Sequence, residues 1–120
     1  MIHEEICTYE VCKLAKEKGF DVPTHYAYNE NCQKAMYMEL CLNRNTKDSH
    51  SISAPTQSLL QRWLREEKGL HITVPFDNNE FWWQIKNLAN GDSEYGEVLG
   101  FDTYELALED AELYCLKNLL

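Results

Sequence analysis

Residues 53–67, SAPTQSLLQRWLREE, decide how the rest of the chain is read. Pro55 suits the first turn of a helix, where its missing N–H costs nothing. At 100° per residue, Leu59, Leu60, Trp63 and Leu64 fall within one arc about 140° wide. Gln57, Gln61 and Arg65 lie opposite with Lys68, and Gly69 stands where the helix should stop. This arc is expected to dock on the segment that follows. The stretch specifies a helix completely and names no chemistry.

Working outward, Leu70, Ile72, Val74 and Phe76 alternate with His71 and Thr73, which predicts a strand. Asp77-Asn78-Asn79 is turn chemistry, and a partner strand is expected over about 80–88. On it Phe81, Trp83 and Ile85 oppose Trp82, Gln84 and Lys86, and Pro75 marks a sheet edge. Residues 90–100 read as a loop rich in Gly and acids, and the last helix opens near Asp102 or Thr103. Toward the N-terminus, Thr8 is a good cap for a helix over about 9–18, with Val11, Leu14 and Ala15 as its apolar face and Gly19 as its stop. Cys7 and Cys12 then occupy the positions of a hydrophobic staple. Two strands are expected near 24–29 and 34–42, the second sending Met36, Met38, Leu40 and Leu42 to the core. Residues 43–51 read as a polar loop.

The order is α-β-β-α-β-β-α, which predicts an α+β two-layer sandwich with a mostly antiparallel sheet and the helices packed on one face. At 120 residues the chain is expected to be one domain, 1–120. A hydrophobic content of 44% argues against disorder. No apolar run approaches the ~18 residues of a membrane span, and Met1-Ile2-His3-Glu4-Glu5 has neither region of a signal peptide. A soluble cytoplasmic protein is expected. The five cysteines (Cys7, Cys12, Cys32, Cys41, Cys115) are odd in number and form no C-x-x-C. They read as free thiols, and the spacing of His3, His25 and His71 supports no zinc site. No cofactor is implied.

The net charge of −9 is concentrated toward one end. Residues 1–76 carry ten acids against nine Lys or Arg, whereas 77–120 carry ten acids against Lys86 and Lys117. Such a surface repels phosphate backbones, disfavours nucleic acid and suits a basic partner or plain solubility.

The stretches VCKLAKEKGFD (11–21) and APTQSLLQRWLRE (54–66), extended by His71-Ile72 and TYELALE (103–109), span most of the chain. On them the protein resembles small uncharacterised proteins of gut Bacteroidetes-type bacteria and their prophages. Those proteins usually carry an acid where this chain has Leu106. The resemblance implies a fold and a phage-associated provenance, and carries no activity, cofactor or catalytic residue.

Three surfaces are candidates. Tyr37, His71, Thr73, Trp82, Gln84 and Lys86 would share the outward face of a single sheet, where exposed Trp and Tyr suit an interface. On the last helix, Tyr104, Ala107, Leu108, Ala111, Tyr114, Cys115 and Leu119 form a core stripe. Leu106, Leu113, Leu116 and Leu120 form a second stripe nearly opposite, which suggests a homodimer interface. Gln57, Gln61, Arg62, Arg65 and Lys68 gather the bases of the middle helix, against the simpler reading of a solvated face. For catalysis, Glu105 and Glu109 lie i,i+4, His71 lacks a partner by spacing, and Cys32 and Cys41 match no nucleophile signature. The expectation is therefore a non-catalytic, acidic protein-interaction module, its partner another protein or a second copy. The alternative is a small-molecule-binding domain or enzyme with a pocket between the sheet and loop 43–53.

Overall fold

The computed structural model describes residues 2–96 and 100–120, apart from the side chain of Cys32, and the fold is α+β with antiparallel sheets. Its contacts divide it into two compact units, Met1–Gln57 and Ser58–Leu120. No helix of the described residues is long and apolar enough to cross a membrane.

The first unit holds α1 (Tyr9–Glu17), β1 (Thr24–Asn29), β2 (Cys32–Leu42) and β3 (Ser51–Ser53). Helix α1 starts because the Thr8 hydroxyl accepts from Val11 N–H, and it stops at Gly19, whose φ of +92° is the left-handed conformation glycine adopts freely. Cys7 and Cys12 are both buried at the staple positions, with the Cys12 thiol 3.6 Å from Cys7 O. The buried face of α1 is Val11, Cys12 and Ala15, while Leu14 is half-buried. Ala27, Tyr28 and Ile52 are buried apolar sheet residues of this unit, with Thr24 and Ser53 buried beside them, and Tyr28 donates its hydroxyl to Cys7 O at 2.8 Å. The strands order as β2-β1-β3, so β1 is central. The N-terminal segment closes the unit: Cys7 N–H donates to Pro55 O, Gln57 N–H donates to Glu5 O, and Ile6 bridges Thr56.

The second unit takes in α2 (Gln57–Lys68) from Ser58 onward, then β4 (Leu70–Thr73), β5 (Phe76–Asp77), β6 (Glu80–Phe81), β7 (Gln84–Asn87), β8 (Ser93–Tyr95) and α3 (Tyr104–Tyr114). Pro55 lies ahead of α2 rather than in its first turn, because its carbonyl is already committed to Cys7. Leu60, Trp63 and Leu64 are buried as the apolar arc requires, each contributing about 1.5–3 kcal/mol of burial. Gly69, at φ +66°, turns the chain into β4. Strands β4, β7 and β8 form one sheet in that order, and β5 and β6 form a separate two-stranded ribbon.

The single sheet expected from the sequence is thus replaced by two three-stranded sheets and a ribbon. Val74-Pro75 interrupts the expected third strand and Trp82-Trp83 the fourth, since proline has no N–H for a ladder and Trp82 N–H bonds Pro75 O instead. At the end of the first expected loop 51–53 forms an edge strand, as does 93–95 within the second, whose residues 97–99 lie outside the described residues.

Helix α3 is capped by Thr103, whose hydroxyl accepts from Leu106 N–H at 3.1 Å. Its buried row is Ala107, Leu108, Ala111 and Glu112, continued by Cys115 and Leu116. This row is turned from the expected stripe: Tyr104 is exposed and Leu116 is fully buried. The helix passes at Cys115–Leu119 into a π-helical turn, in which each residue advances by less than 100°. Leu116 lies four residues after the buried Glu112, one turn along the same face, and is buried with it.

Candidate functional site

The most distinctive surface belongs to β2. It is an edge strand eleven residues long, paired with a six-residue β1. Tyr26 lies opposite Tyr37 and Thr24 opposite Leu42, so β1 takes two steps where β2 takes five. The surplus makes a pronounced bulge around Met38–Cys41. Met36, Tyr37, Leu40 and Leu42 are exposed, at 55, 61, 66 and 46%. The alternating face expected in the core is therefore largely at the surface. The pattern of β2 is that of a half-buried strand, but an edge strand that outgrows its partner has too little layer above it to cover it.

Tyr37 is held in place. The His25 ring stacks on it at 5.7 Å and 12°, and Tyr26 meets it edge-on at 5.5 Å. His25 Nδ1 is 3.2 Å from Met38 O, the geometry of an Nδ1–H donor. Two fixed rings thus support an exposed phenol, with aliphatic side chains along the same strand. Such a surface loses little side-chain freedom when covered. Lys34 and Glu39 are the charges on β2, and charge and bulge are the usual protections of an open edge.

The other sheet-face residues do not join Tyr37. His71, Gln84 and Lys86 lie in the β4-β7-β8 sheet, a different sheet from that of β2. His71 is half-buried opposite Lys86, and its Nδ1 is screened from solvent with no hydrogen-bond partner among the described residues. Trp82 lies between β6 and β7, outside any strand. Its indole N–H donates to Asp77 O at 3.0 Å, and its ring lies against Gly100. This partial covering comes with the β5–β6 ribbon, in which Phe76 pairs with Phe81 and Asp77 with Glu80, and whose Phe81 also exchanges backbone hydrogen bonds with Phe101.

The leucine stripe of the last helix is incomplete as a surface. Leu106 is exposed, Leu113 and Leu120 are half-buried, and Leu116 is core. The polar face of α2 is occupied structurally: Gln57 is buried, Gln61 donates to Ile72 O, Arg62 pairs with Glu66 at 3.0 Å, and the Lys68 ammonium sits 5.2 Å from the Trp63 ring centre.

In the first unit, Tyr9, Lys13, Lys16 and Glu17 of α1 line an open cleft of about 580 Å³ with Glu30 and Ile52, and Lys16 is tied to the carbonyls of Ser49 and Ser51. In the second, a slot of about 220 Å³ lies beside Trp83 and Tyr114. Neither is lined by Tyr37, His71 or Trp82.

Reactive groups are not assembled. Among the described residues no group of three or more His, Cys, Asp or Glu could hold a metal ion. The buried Cys115 thiol is pushed up to about 12, by loss of solvent first and then by the charge of Glu112, so it is no nucleophile at neutral pH. No protein-family model, curated protein or solved structure matches this chain.

Proposed function

We propose that this protein is a non-catalytic interaction module that binds an extended segment of another protein along the open edge of β2. The observation that carries this reading is a long edge strand on which Met36, Tyr37, Leu40 and Leu42 are all exposed. An added strand would supply main-chain hydrogen bonds to the edge, and Tyr37 would give it a rigid aromatic anchor. The burial of Leu116 supports this edge over the leucine stripe as the contact surface. The sequence resemblance to prophage-encoded proteins supports a phage- or mobile-element-associated setting.

A peptide library selected against the immobilised chain tests the reading. Selected peptides should be extended and rich in β-branched and aromatic residues, and should slow hydrogen exchange of the β2 amides. The double variant Tyr37→Glu/Leu40→Glu should keep its fold and lose the peptides. Peptides that bind this variant as well as the native chain would sink the idea.

A further inference from the structure

The slot in the second unit has the make-up of a receptor for one cationic side chain. Its wall is aromatic: Tyr95 is 68% exposed, and Tyr114 packs at 5.2 Å from Trp83. Its acid is Asp110, fixed by the indole N–H of Trp83 at 2.8 Å. Trp83 itself is buried, so the carboxylate is oriented from the core and cannot swing away without breaking that bond. The Tyr114 hydroxyl donates to Glu94 at 3.3 Å, which sets the second ring and brings a second carboxylate to the rim. Leu113 closes one side, and Lys117 is the one cation of the lining.

Charge and size choose the occupant. Within the lining Asp110 balances Lys117, and Glu94, bonded to Tyr114 just outside it, tips the surroundings negative, within a stretch (77–120) that carries ten acids and two lysines. A volume near 220 Å³ is below the ~300 Å³ at which small-molecule sites begin. A single side chain fits better. Of the two cationic side chains, arginine matches both elements, since its planar guanidinium stacks on tyrosine rings and forks onto a carboxylate. We propose that this slot binds an arginine side chain presented by a protein partner. The site is independent of the β2 edge, being built wholly from residues 83–118.

The test uses the full ¹⁵N-labelled chain titrated with acetyl-Gly-Arg-Gly-amide and with the same peptide carrying citrulline, the neutral isostere. The indole N–H of Trp83 reports directly on Asp110. It should shift saturably with arginine and roughly tenfold more weakly with citrulline. Asp110→Asn keeps an oxygen for the indole and should weaken the arginine peptide about fivefold to tenfold while leaving citrulline unchanged. Lys117→Met removes the competing charge and should tighten arginine roughly threefold. Tyr37→Glu/Leu40→Glu should bind arginine as the native chain does, which separates this site from the strand edge. Equal shifts with arginine and citrulline, or an Asp110→Asn chain with a native-like spectrum and unchanged arginine affinity, would overturn the proposal.

Discussion

Gly100 approaches the β5–β6 ribbon so closely that a single methyl group tests the packing there. A Cβ on Gly100 would lie 2.6 Å from Glu80 Cβ and 3.0 Å from both Glu80 Oε2 and Trp82 Cε2. Carbon atoms rest at about 3.5–4.0 Å, so the overlap with Glu80 Cβ is on the order of 1 Å. The carboxylate end of Glu80 can rotate aside, but its Cβ is fixed to the backbone. The two backbones cannot part easily either, because Phe81 and Phe101 exchange hydrogen bonds of 2.8 and 2.7 Å next door. Overpacking of this kind costs about 1–3 kcal/mol, and we expect Gly100→Ala near 2–3 kcal/mol. Gly69 is the control, since at φ +66° nothing stands within 4 Å of its would-be Cβ. Gly69→Ala should lose only about 1–2 kcal/mol to backbone conformation, and Gly69→Asn less, since asparagine tolerates the left-handed region. Urea unfolding followed by tryptophan fluorescence reads the right unit, because Trp63, Trp82 and Trp83 all lie within 58–120. A Gly100→Ala cost under about 0.5 kcal/mol would refute the steric argument.

Three further outcomes follow from caps and burial. Thr103→Ala should cost about 1 kcal/mol and Thr8→Ala less, since their hydroxyls accept at 3.1 and 3.5 Å; circular dichroism on denaturant titration would rank them. Cys115 stays protonated in the fold up to a pKa of about 12, against 9.0 for an ordinary thiol. The native state then binds more protons than the unfolded one above pH 9, so this residue's contribution is complete below pH 9 and is lost as pH rises toward 12. The slope approaches ~1.4 kcal/mol per pH unit and should vanish from the difference curve in Cys115→Ala. In the same samples, iodoacetamide at neutral pH should label exposed Cys41 and spare Cys7, Cys12 and Cys115, as read by peptide mass spectrometry. Rapid native labelling of Cys115 would contradict its burial.

What the sequence discloses here depends on the range of the interaction that decides each element. The Thr8 and Thr103 caps, the stop at Gly19 and the Cys7–Cys12 staple are local in sequence, and each is where its residues place it. The apolar arc of α2 is legible for the same reason. Sheet membership is not local. Met36, Leu40 and Leu42 have the alternation of a buried face, and only the order β2-β1-β3 shows that their strand is an edge. Likewise Tyr37 and His71 read as one face only while a single sheet is assumed. Leu116 misleads because the buried face extends to Glu112, which an acidic side chain does not announce, and Leu116 lies one turn beyond it. The slot at Asp110 joins Trp83, just ahead of β7, and Tyr95 of β8 to α3, with the indole N–H held by Asp110. Trp83 gives a faint sign of it, as a buried indole needs an acceptor, but nothing in the spacing says which.

The bridge between Ile6 and Thr56 has a consequence for how the chain is made. The β1–β2 hairpin spans neighbouring residues and can form as soon as residue 42 leaves the ribosome. The N-terminal segment is synthesised first, but its backbone hydrogen-bond partners at 55–57 arrive much later. At about 5–20 residues per second, that wait lasts on the order of 2–10 s, long compared with the folding of a small unit. Translation, rather than the search for contacts, would then time the closure of the first unit. Slow codons placed before residue 57 would prolong the interval in which the staple cysteines and the open β2 edge are exposed together.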